Sequence, residues 1–257
     1  MSIRKKILAI SIGPVLVLGV ITLLFILTMV KSSLMDEVQD ALKGTAAATL
    51  AAYDQNTGDY LESTNGDIWK GSYNISKSES LVDRIKENTG MDVTFFYGNK
   101  RIMTSALDKK GNRILGSEAG ERVVNQVIKG KKPFFSTNVS LDGTRNYGYF
   151  IPVYQNGTTD QVIGMVFVGT NKAQKDAIVN KILGSIMMAL LVVMLLCIVT
   201  AMRMAASISK NIKNSVAVVG KLADGDLNVW VDEKLLKRKD EIGDPVSYTH
   251  LTLPTIA

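Results

Sequence analysis

The sequence predicts an α+β domain held between two membrane-spanning helices, followed by a shorter helical segment. Two long apolar runs and a middle segment that changes from helical to β-rich patterning support this prediction. Because about 20 consecutive apolar residues suffice to cross a bilayer core, the runs at residues 7–30 and 182–202 are predicted to be transmembrane helices. Residues 31–181 then form one domain on one side of the membrane.

Short basic flanks predict the orientation of both spans. Residues 4–6 are Arg-Lys-Lys, and Arg203 directly follows the second run. Basic residues close to a span tend to remain in the cytoplasm, so both termini are predicted to be cytoplasmic, residues 1–6 forming the N-terminal one. The domain at residues 31–181 is predicted to be extracytoplasmic. A cleaved signal peptide is the alternative for the first run, but the run is longer than the usual apolar core of one.

Charge, cysteine and histidine usage exclude several classes of function. The formal net charge of +6 is concentrated in the membrane flanks, so we predict no nucleic-acid partner. The single cysteine, Cys197, lies in the second run, and the single histidine is His250. A disulfide framework, a thiolate or histidine metal site and a Ser-His-Asp triad are therefore not expected. We predict neither an enzyme, a metal nor a cofactor.

The middle segment begins with helical patterning. Small or apolar residues recur at close to the helical period across residues 31–62, which predicts a long helix. Its small-residue face fits packing either against its own domain or against the same helix of a second subunit. Ser76 and Glu79 match a capping box, which predicts a short helix that ends at Gly90.

Strand patterning follows. The β-rich segments are residues 93–97, 101–105, 134–140, 144–154 and 161–170. The turn dipeptides are Gly98-Asn99, Gly111-Asn112, Asp142-Gly143 and Asn156-Gly157. A helix at residues 117–129, ending at Gly130, is predicted between the second and third strands. These elements predict an antiparallel sheet of about five strands with one inserted helix, a sensor-like α+β domain.

The order of these segments resembles a known sensor family. The sequence runs TGMDVTFFYGNKRIMTS, then KKGNRILGSEAGERVVNQVIKGKKPFF, then YGYFIPVY and VIGMVFVG. This series, within residues 89–170, resembles the single Cache domain, the extracytoplasmic sensing module of bacterial chemoreceptors and related transducers. The resemblance implies a PAS-like antiparallel sheet with a long N-terminal helix, and a small polar ligand bound on the sheet away from the membrane.

A second resemblance follows the second span. Apolar or small residues step by four and three at Ile208, Ile212, Ser215, Val219 and Leu222. With the LADGDL signature at residues 222–227 and DEIG at residues 240–243, the segment 203–244 resembles a HAMP domain, here truncated. The proline usual near the start of the first HAMP helix is absent, and Asn211 occupies that place. The apolar seam predicts a homodimer.

The tail has a different character. Residues 245–257 contain two prolines, no heptad and no charge. They resemble translated sequencing adapter, so we expect this tail to be non-native and the chain to be an N-terminal fragment. A divergent natural tail is the alternative.

The two resemblances together imply a chemoreceptor of the methyl-accepting type in the cell membrane. Ligand binding outside would bias a two-state helix arrangement, which HAMP would pass to a cytoplasmic signalling domain that contacts a chemotaxis kinase and adaptor. The alternative is the sensor front half of a histidine kinase or a cyclic-dinucleotide enzyme. A glutamate- and alanine-rich heptad helix after HAMP would indicate the chemoreceptor, and a histidine-bearing dimerisation helix or a catalytic motif the enzyme.

Candidate ligand-binding side chains come from the predicted strands and their turns. Because an arginine presents a fork of donors matched to a carboxylate, we hypothesise a small carboxylate or an amino acid as ligand, with Arg101 as its anchor. The further candidates are Thr104, Arg113, Lys131, Tyr147 and Tyr149. Strand alternation places Tyr147 and Tyr149 on one face with Arg145. For each candidate the alternative is a solvated side chain or one stacked on its neighbours.

Overall fold

The computed structural model describes residues 2–156 and 158–224. The DEIG signature, His250 and the tail at 245–257 lie outside the described residues, as does Gly157 of one predicted turn. The LADGDL signature is described only as far as Asp224. The chain divides into two compact units, one of residues 1–26 with 185–257 and the other of residues 27–184.

The helices and strands follow one another in this order. They are α1 (Ile3–Phe25), a π-helical turn (Ile26–Val30), α2 (Lys31–Asp54), β1 (Tyr60–Glu62), β2 (Ile68–Lys70), β3 (Tyr73–Asn74), a 3-10 turn (Ile75–Lys77), α3 (Glu79–Thr89), β4 (Asp92–Tyr97), β5 (Lys100–Thr104), α4 (Glu121–Val123), a second π-helical turn (Val124–Lys129), β6 (Phe134–Leu141), β7 (Thr144–Tyr154), β8 (Val162–Asn171) and α5 (Lys172–Ala223).

Two helical stretches of the described chain are long and apolar enough to cross a membrane. They are Ile3–Asp54 and Lys172–Lys221, and each contains one of the predicted spans. Only 11% and 6% of their most apolar windows are buried, whereas the core helix of a soluble protein is mostly buried. The two stretches flank the β-rich segment, as expected for a membrane protein with a sensor between its spans.

Within the first unit, α1 and α5 come into close contact at a glycine. Gly19 is the buried residue of α1. A Cβ atom at this position would lie 2.6 Å from the sulfur of Met194. Small residues allow helices to approach closely in a bilayer, where apolar lipid provides no hydrophobic drive for association. Gly19 therefore permits this helix contact.

The second unit is built on a five-stranded antiparallel sheet with the strand order β5-β4-β8-β7-β6. All five strands predicted from the sequence are present, each within one residue of its predicted ends. The predicted turn at Asp142-Gly143 is confirmed by positive φ angles of 43° and 76°, the conformation that a two-residue hairpin turn requires.

Helix α2 packs on one face of this sheet, which we call the α2 face. Leu42, Ala46 and Tyr53 of the helix are fully buried against strand residues such as Phe95 and Val166. The small-residue face of α2 is thus used within its own domain. The opposite face, which we call the cavity face, carries a second apolar cluster that contains Phe96, Phe150 and Phe167.

Helix α2 is shorter than predicted, because the chain leaves it at Asp54 rather than continuing to residue 62. The following residues enter a small sheet of β1, β2 and β3, which the sequence did not predict. Gly58 and Gly71 meet where this sheet begins, and a Cβ on Gly58 would lie 2.9 Å from the Cα of Gly71. Two glycines with positive φ thus allow these two backbone segments to approach closely.

The short helix α3 ends as predicted, with Gly90 in the left-handed conformation at φ 69°. Its N-terminus differs from the predicted capping box. The Oγ of Ser76 accepts a hydrogen bond from the backbone N–H of Ile68 at 2.9 Å instead. Ser78 occupies the N-cap position, and its hydroxyl is bonded to the Tyr53 hydroxyl at 2.9 Å.

The inserted helix also starts later than predicted, at Glu121 rather than residue 117. The residues before it extend along the edge of β5. The backbone N–H of Arg101 donates to Ser117 O at 2.9 Å, and that of Ala119 donates to Asn99 O at 2.8 Å. These hydrogen bonds to a sheet edge hold the segment extended, so the helical pattern is expressed only from Glu121 onward.

Candidate functional site

A row of three phenylalanines crosses the cavity face. Phe167 on β8 pairs with Phe150 on β7, which pairs with Phe134 on β6. The ring centroids of Phe150 and Phe167 are 4.7 Å apart, and those of Phe134 and Phe150 are 6.4 Å apart. Phe150 and Phe167 are buried, and Phe134 is half-buried. The row forms the base of a cavity of about 500 Å³ between the sheet, the edge of β6 and the α4 segment.

Two glycines beside this row make room for the Phe167 ring. Gly148 and Gly169 are paired across β7 and β8. A Cβ on Gly148 would lie 2.5 Å from the Phe167 ring, and one on Gly169 would lie 2.4 Å from it. Real Cβ atoms do not approach so closely, so the Phe167 ring lies over the backbone of both glycines. The base of the cavity is therefore set by glycine as well as by phenylalanine.

A β-bulge turns Arg101 toward the cavity face. Phe95 pairs with Met103, but Phe96 pairs with Arg101, so Ile102 is an extra residue on β5. Strict alternation from Met103 would place Arg101 on the α2 face. The extra residue reverses it, so Arg101 lies on the same face as Phe96. Bulges often re-aim a side chain next to a functional site.

Arg101 is buried in the lining of the cavity, and only some of its hydrogen-bond donors have partners. Its exposed fraction is 8%, and its Nη1 donates to Ile114 O at 3.3 Å. The guanidinium carbon lies 5.3 Å from the centroid of the Phe96 ring. Among the described residues, the buried Nε has no hydrogen-bond partner. Burial lowers the pKa of Arg101, and the charge of Asp92 opposes that shift.

A second arginine lies at the exposed edge of the cavity. The guanidinium carbon of Arg122 is 5.4 Å from the centroid of the Phe134 ring. Glu118 also belongs to the lining. Its backbone forms an isolated β-bridge with Lys100. Lys100 pairs with Tyr97, which packs against the α2-face core. Glu118 is exposed. The four ion pairs formed between described residues include none between Glu118 and either arginine.

Thr104 and Arg113, two of the candidates from the sequence, lie outside the cavity lining. The Thr104 hydroxyl is fully buried and bonded to the Thr94 hydroxyl at 2.7 Å. Arg113 binds the carboxylate of Asp83 through two nitrogens, at 2.9 and 2.6 Å, and donates to Thr104 O at 2.7 Å. Hydrogen bonding by Arg113 lowers the pKa of Asp83. These side chains are engaged with the protein itself.

Lys131, Tyr147 and Tyr149 also lie away from the cavity lining. Lys131 is exposed and has a φ of 53° after the inserted helix ends. Tyr147 and Tyr149 pack in the α2-face core, opposite the cavity. Of the six candidate residues, Arg101 alone lines the cavity, so the structure does not bring the predicted set together.

Strand β6 connects the cavity to the start of α5. Lys172 Nζ donates to Thr137 O at 3.1 Å, and the Tyr147 hydroxyl donates to Asp176 Oδ1 at 2.5 Å. The Phe135 ring is stacked parallel to the Tyr147 ring at 6.3 Å. Burial raises the pKa of Tyr147 to about 12, and the hydrogen bond to Asp176 adds to this shift. Phe135 and Thr137 also belong to the cavity lining.

Sequence reasoning missed most of the residues that line the cavity. The missed residues on which the site depends are Phe96, Phe134, Phe150, Phe167 and Arg122. A signal for two of them was present, because Phe150 and Phe167 each lie two residues from a glycine in their strand. Glycines on the same strand face as large aromatics indicate space that a ring can occupy.

Comparison with known protein families agrees with this architecture. Residues 73–182 match the family described as Single cache domain 3. The chain carries a single Cache domain. The matched residues include all five strands of the large sheet and the first turns of α5. No match was found among curated proteins.

Proposed function

We propose that this chain is the sensing half of a methyl-accepting chemoreceptor, which detects a small extracytoplasmic carboxylate through its Cache domain. Cache domains generally bind small-molecule ligands, which suggests extracellular sensing. The two candidate membrane helices on either side of the domain support a transmembrane receptor. The proposal assigns no catalytic step to these residues.

The observation that carries the ligand assignment is the buried and incompletely paired guanidinium of Arg101 in the cavity lining. A buried polar group without a partner costs about 1–3 kcal/mol, and native proteins retain few of them. Here the group belongs to a cation in the lining of a cavity of about 500 Å³. A carboxylate in the cavity would accept hydrogen bonds from the guanidinium group and neutralise the buried charge.

Transmission requires that the ligand favour one of two arrangements, with a coupling free energy of about 1–3 kcal/mol. We propose that strand β6 transmits the structural change caused by ligand binding to α5. Its cavity-lining residue Thr137 is bonded to Lys172, and Phe135 is stacked on Tyr147, which is bonded to Asp176. A ligand that shifts β6 would change the support of the first turns of α5, the helix that contains the second candidate span.

Binding to the full chain in lipid nanodiscs tests the ligand assignment. Small carboxylates should raise the melting temperature by mass action, and Arg101→Ala should abolish the rise. Arg145→Ala is the matched control, because Arg145 is exposed and does not line the cavity. Stabilisation only by neutral sugars or purines, or an unchanged response of Arg101→Ala, would contradict the assignment.

The proposed assembly is a homodimer that acts through a HAMP relay on a chemotaxis kinase and adaptor. Cysteine cross-linking tests the dimer, starting from Cys197 and scanning residues 182–202 in native membranes. A periodic pattern of cross-linked dimers is expected for adjacent second spans, and uniformly monomeric products would contradict it. The gene sequence after residue 244 tests the output: a glutamate- and alanine-rich heptad helix is expected, whereas a catalytic motif would indicate an enzyme.

A further inference from the structure

We infer that the ligand is an apolar organic acid without an ammonium group, with its carboxylate on Arg101 and its apolar body against the half-buried wall of the cavity. This inference rests on the proposed function, because it specifies the class of carboxylate that the site accepts. It excludes the amino acids that the sequence alone left open.

The buried charge on the cavity face is positive. Arg101 lines the cavity, and Arg122 covers Phe134 at its edge. Among the described lining residues, Glu118 is the only acid, and its side chain is exposed. An ammonium bound next to the buried Arg101 would therefore find no buried carboxylate among the described lining residues. Because an unpaired buried charge is costly, this arrangement selects against a zwitterion.

The half-buried side chains that form the cavity wall are mainly apolar. Pairing with β7 places Phe134, Ser136 and Val139 of β6 on the cavity face, opposite Phe150, Gly148 and Asn146. Val123 and Ala119 supply the facing side, and both are half-buried. Ser136 is the only hydroxyl among these five side chains, and the other polar lining residues of β6, which are Thr137, Asn138 and Ser140, are exposed. A polyhydroxylated ligand would leave most of its hydroxyl groups unpaired there, whereas an alkyl or aryl body would bury apolar surface.

The cavity is larger than a ligand such as acetate requires. A cavity of about 500 Å³ falls in the range of sites that enclose ligands much larger than acetate. Acetate would occupy the Arg101 end and leave the apolar wall in contact with water. An acid whose body extends from Arg101 to Phe134 would fill both parts.

Matched pairs of ligands test this inference on the full chain in nanodiscs. One pair is 4-methylpentanoate and L-leucine, and the other is 3-phenylpropanoate and L-phenylalanine. Each pair shares a carboxylate and an apolar body but differs by the ammonium group. We expect the amino-free acid of each pair to bind about ten- to hundredfold more tightly, because the ammonium finds no acceptor. Titration calorimetry measures both dissociation constants.

Acetate and succinate serve as acids that lack an apolar body, and they should bind at least about tenfold more weakly than 4-methylpentanoate. Equal or tighter binding of either amino acid, or of acetate or succinate, would overturn the inference. If such binding depends on Arg101, the proposed carboxylate sensing stands. If none of these compounds binds, or if binding is unaffected by Arg101→Ala, the proposed function fails together with the inference.

A charge added to the cavity face provides a second test. Ser136→Asp places a carboxylate on the cavity face of an edge strand, where a half-buried serine stands. It should weaken 4-methylpentanoate binding and reduce the preference over L-leucine by about tenfold. Thr144→Asp is the matched control, because Thr144 is exposed and does not line the cavity. An equal effect of both variants would contradict the assigned location.

Discussion

The two faces of the five-stranded sheet bury aromatic side chains to a similar extent but differ in the hydrogen bonding of their buried polar groups. On the α2 face, Tyr53 and Phe95 are fully buried, and the Tyr53 hydroxyl is paired with Ser78 at 2.9 Å. On the cavity face, Phe150 and Phe167 are equally buried, but Arg101 retains an unpaired Nε beside a cavity. The first face stabilises the domain, and the second contains the arginine to which we assign the ligand.

The largest expected effect comes from removing bulk on the α2 face. Leu42→Ala deletes a fully buried side chain between α2 and the sheet, and such changes cost about 2–5 kcal/mol of the free energy of unfolding. Thermal and denaturant unfolding of the full chain measure the loss. Leu61→Ala is the control, because Leu61 is 61% exposed and should change stability by less than about 0.5 kcal/mol. Similar losses from both variants would refute the assigned core.

Filling the base of the cavity should cause a smaller loss of stability and should also reduce ligand affinity. Gly148→Val adds a Cβ that would lie 2.5 Å from the Phe167 ring and 2.8 Å from Val139. Overpacking of this kind costs about 1–3 kcal/mol, and the displaced ring should also reduce ligand affinity. Gly44→Ala in α2 is the control, since nothing lies within 4 Å of its added Cβ, and it should raise stability by about 0.5–1 kcal/mol. A stabilising Gly148→Val would show that the ring does not lie over this glycine.

The hydroxyl of Tyr147 distinguishes support of α5 from ligand binding. Tyr147→Phe removes the hydrogen bond to Asp176, which should lower the free energy of unfolding by about 1 kcal/mol. It should also speed hydrogen exchange in the first turn of α5, while ligand affinity changes far less than in Arg101→Ala. Tyr154→Phe is the control, because its exposed hydroxyl donates a longer bond of 3.3 Å to Lys131 O. A loss of ligand affinity as large as that caused by Arg101→Ala would instead indicate that Tyr147 contacts the ligand.

The ion pair of Arg113 and Asp83 predicts the smallest effect, which depends on pH. Hydrogen bonding by Arg113 lowers the pKa of Asp83 below its ordinary value of 3.8, so its contribution is fully present above that value and is lost as pH falls through the lowered pKa. The carboxylate is 44% exposed, so solvent screening limits the contribution to about 1 kcal/mol. The melting-temperature difference between the parent and Asp83→Asn should be constant above about pH 5 and decrease below about pH 4. A difference that persists in acid would contradict the ion-pair origin.

The contrast between the faces also shows how far the sequence could predict the structure. β-Branched and aromatic composition was sufficient to find all five strands. It was insufficient to assign their faces, because an extra residue at Ile102 reverses the side on which Arg101 lies. The same limit applied to Tyr147 and Tyr149, which alternation placed correctly together but which lie on the α2 face. Bulges and edge hydrogen bonds depend on the neighbouring strand, so local patterning does not reveal them.

One paired measurement tests most directly whether the cavity face binds and the opposite contacts stabilise. Melting temperatures of the parent, Arg101→Met and Arg113→Met are recorded with and without 4-methylpentanoate. We predict that Arg101→Met keeps or raises the unliganded melting temperature, because it removes a buried and incompletely paired charge, but loses the ligand-induced rise. Arg113→Met should lose stability and retain the rise, because its guanidinium binds Asp83. A destabilised Arg101→Met protein that still responds to the ligand would contradict the account.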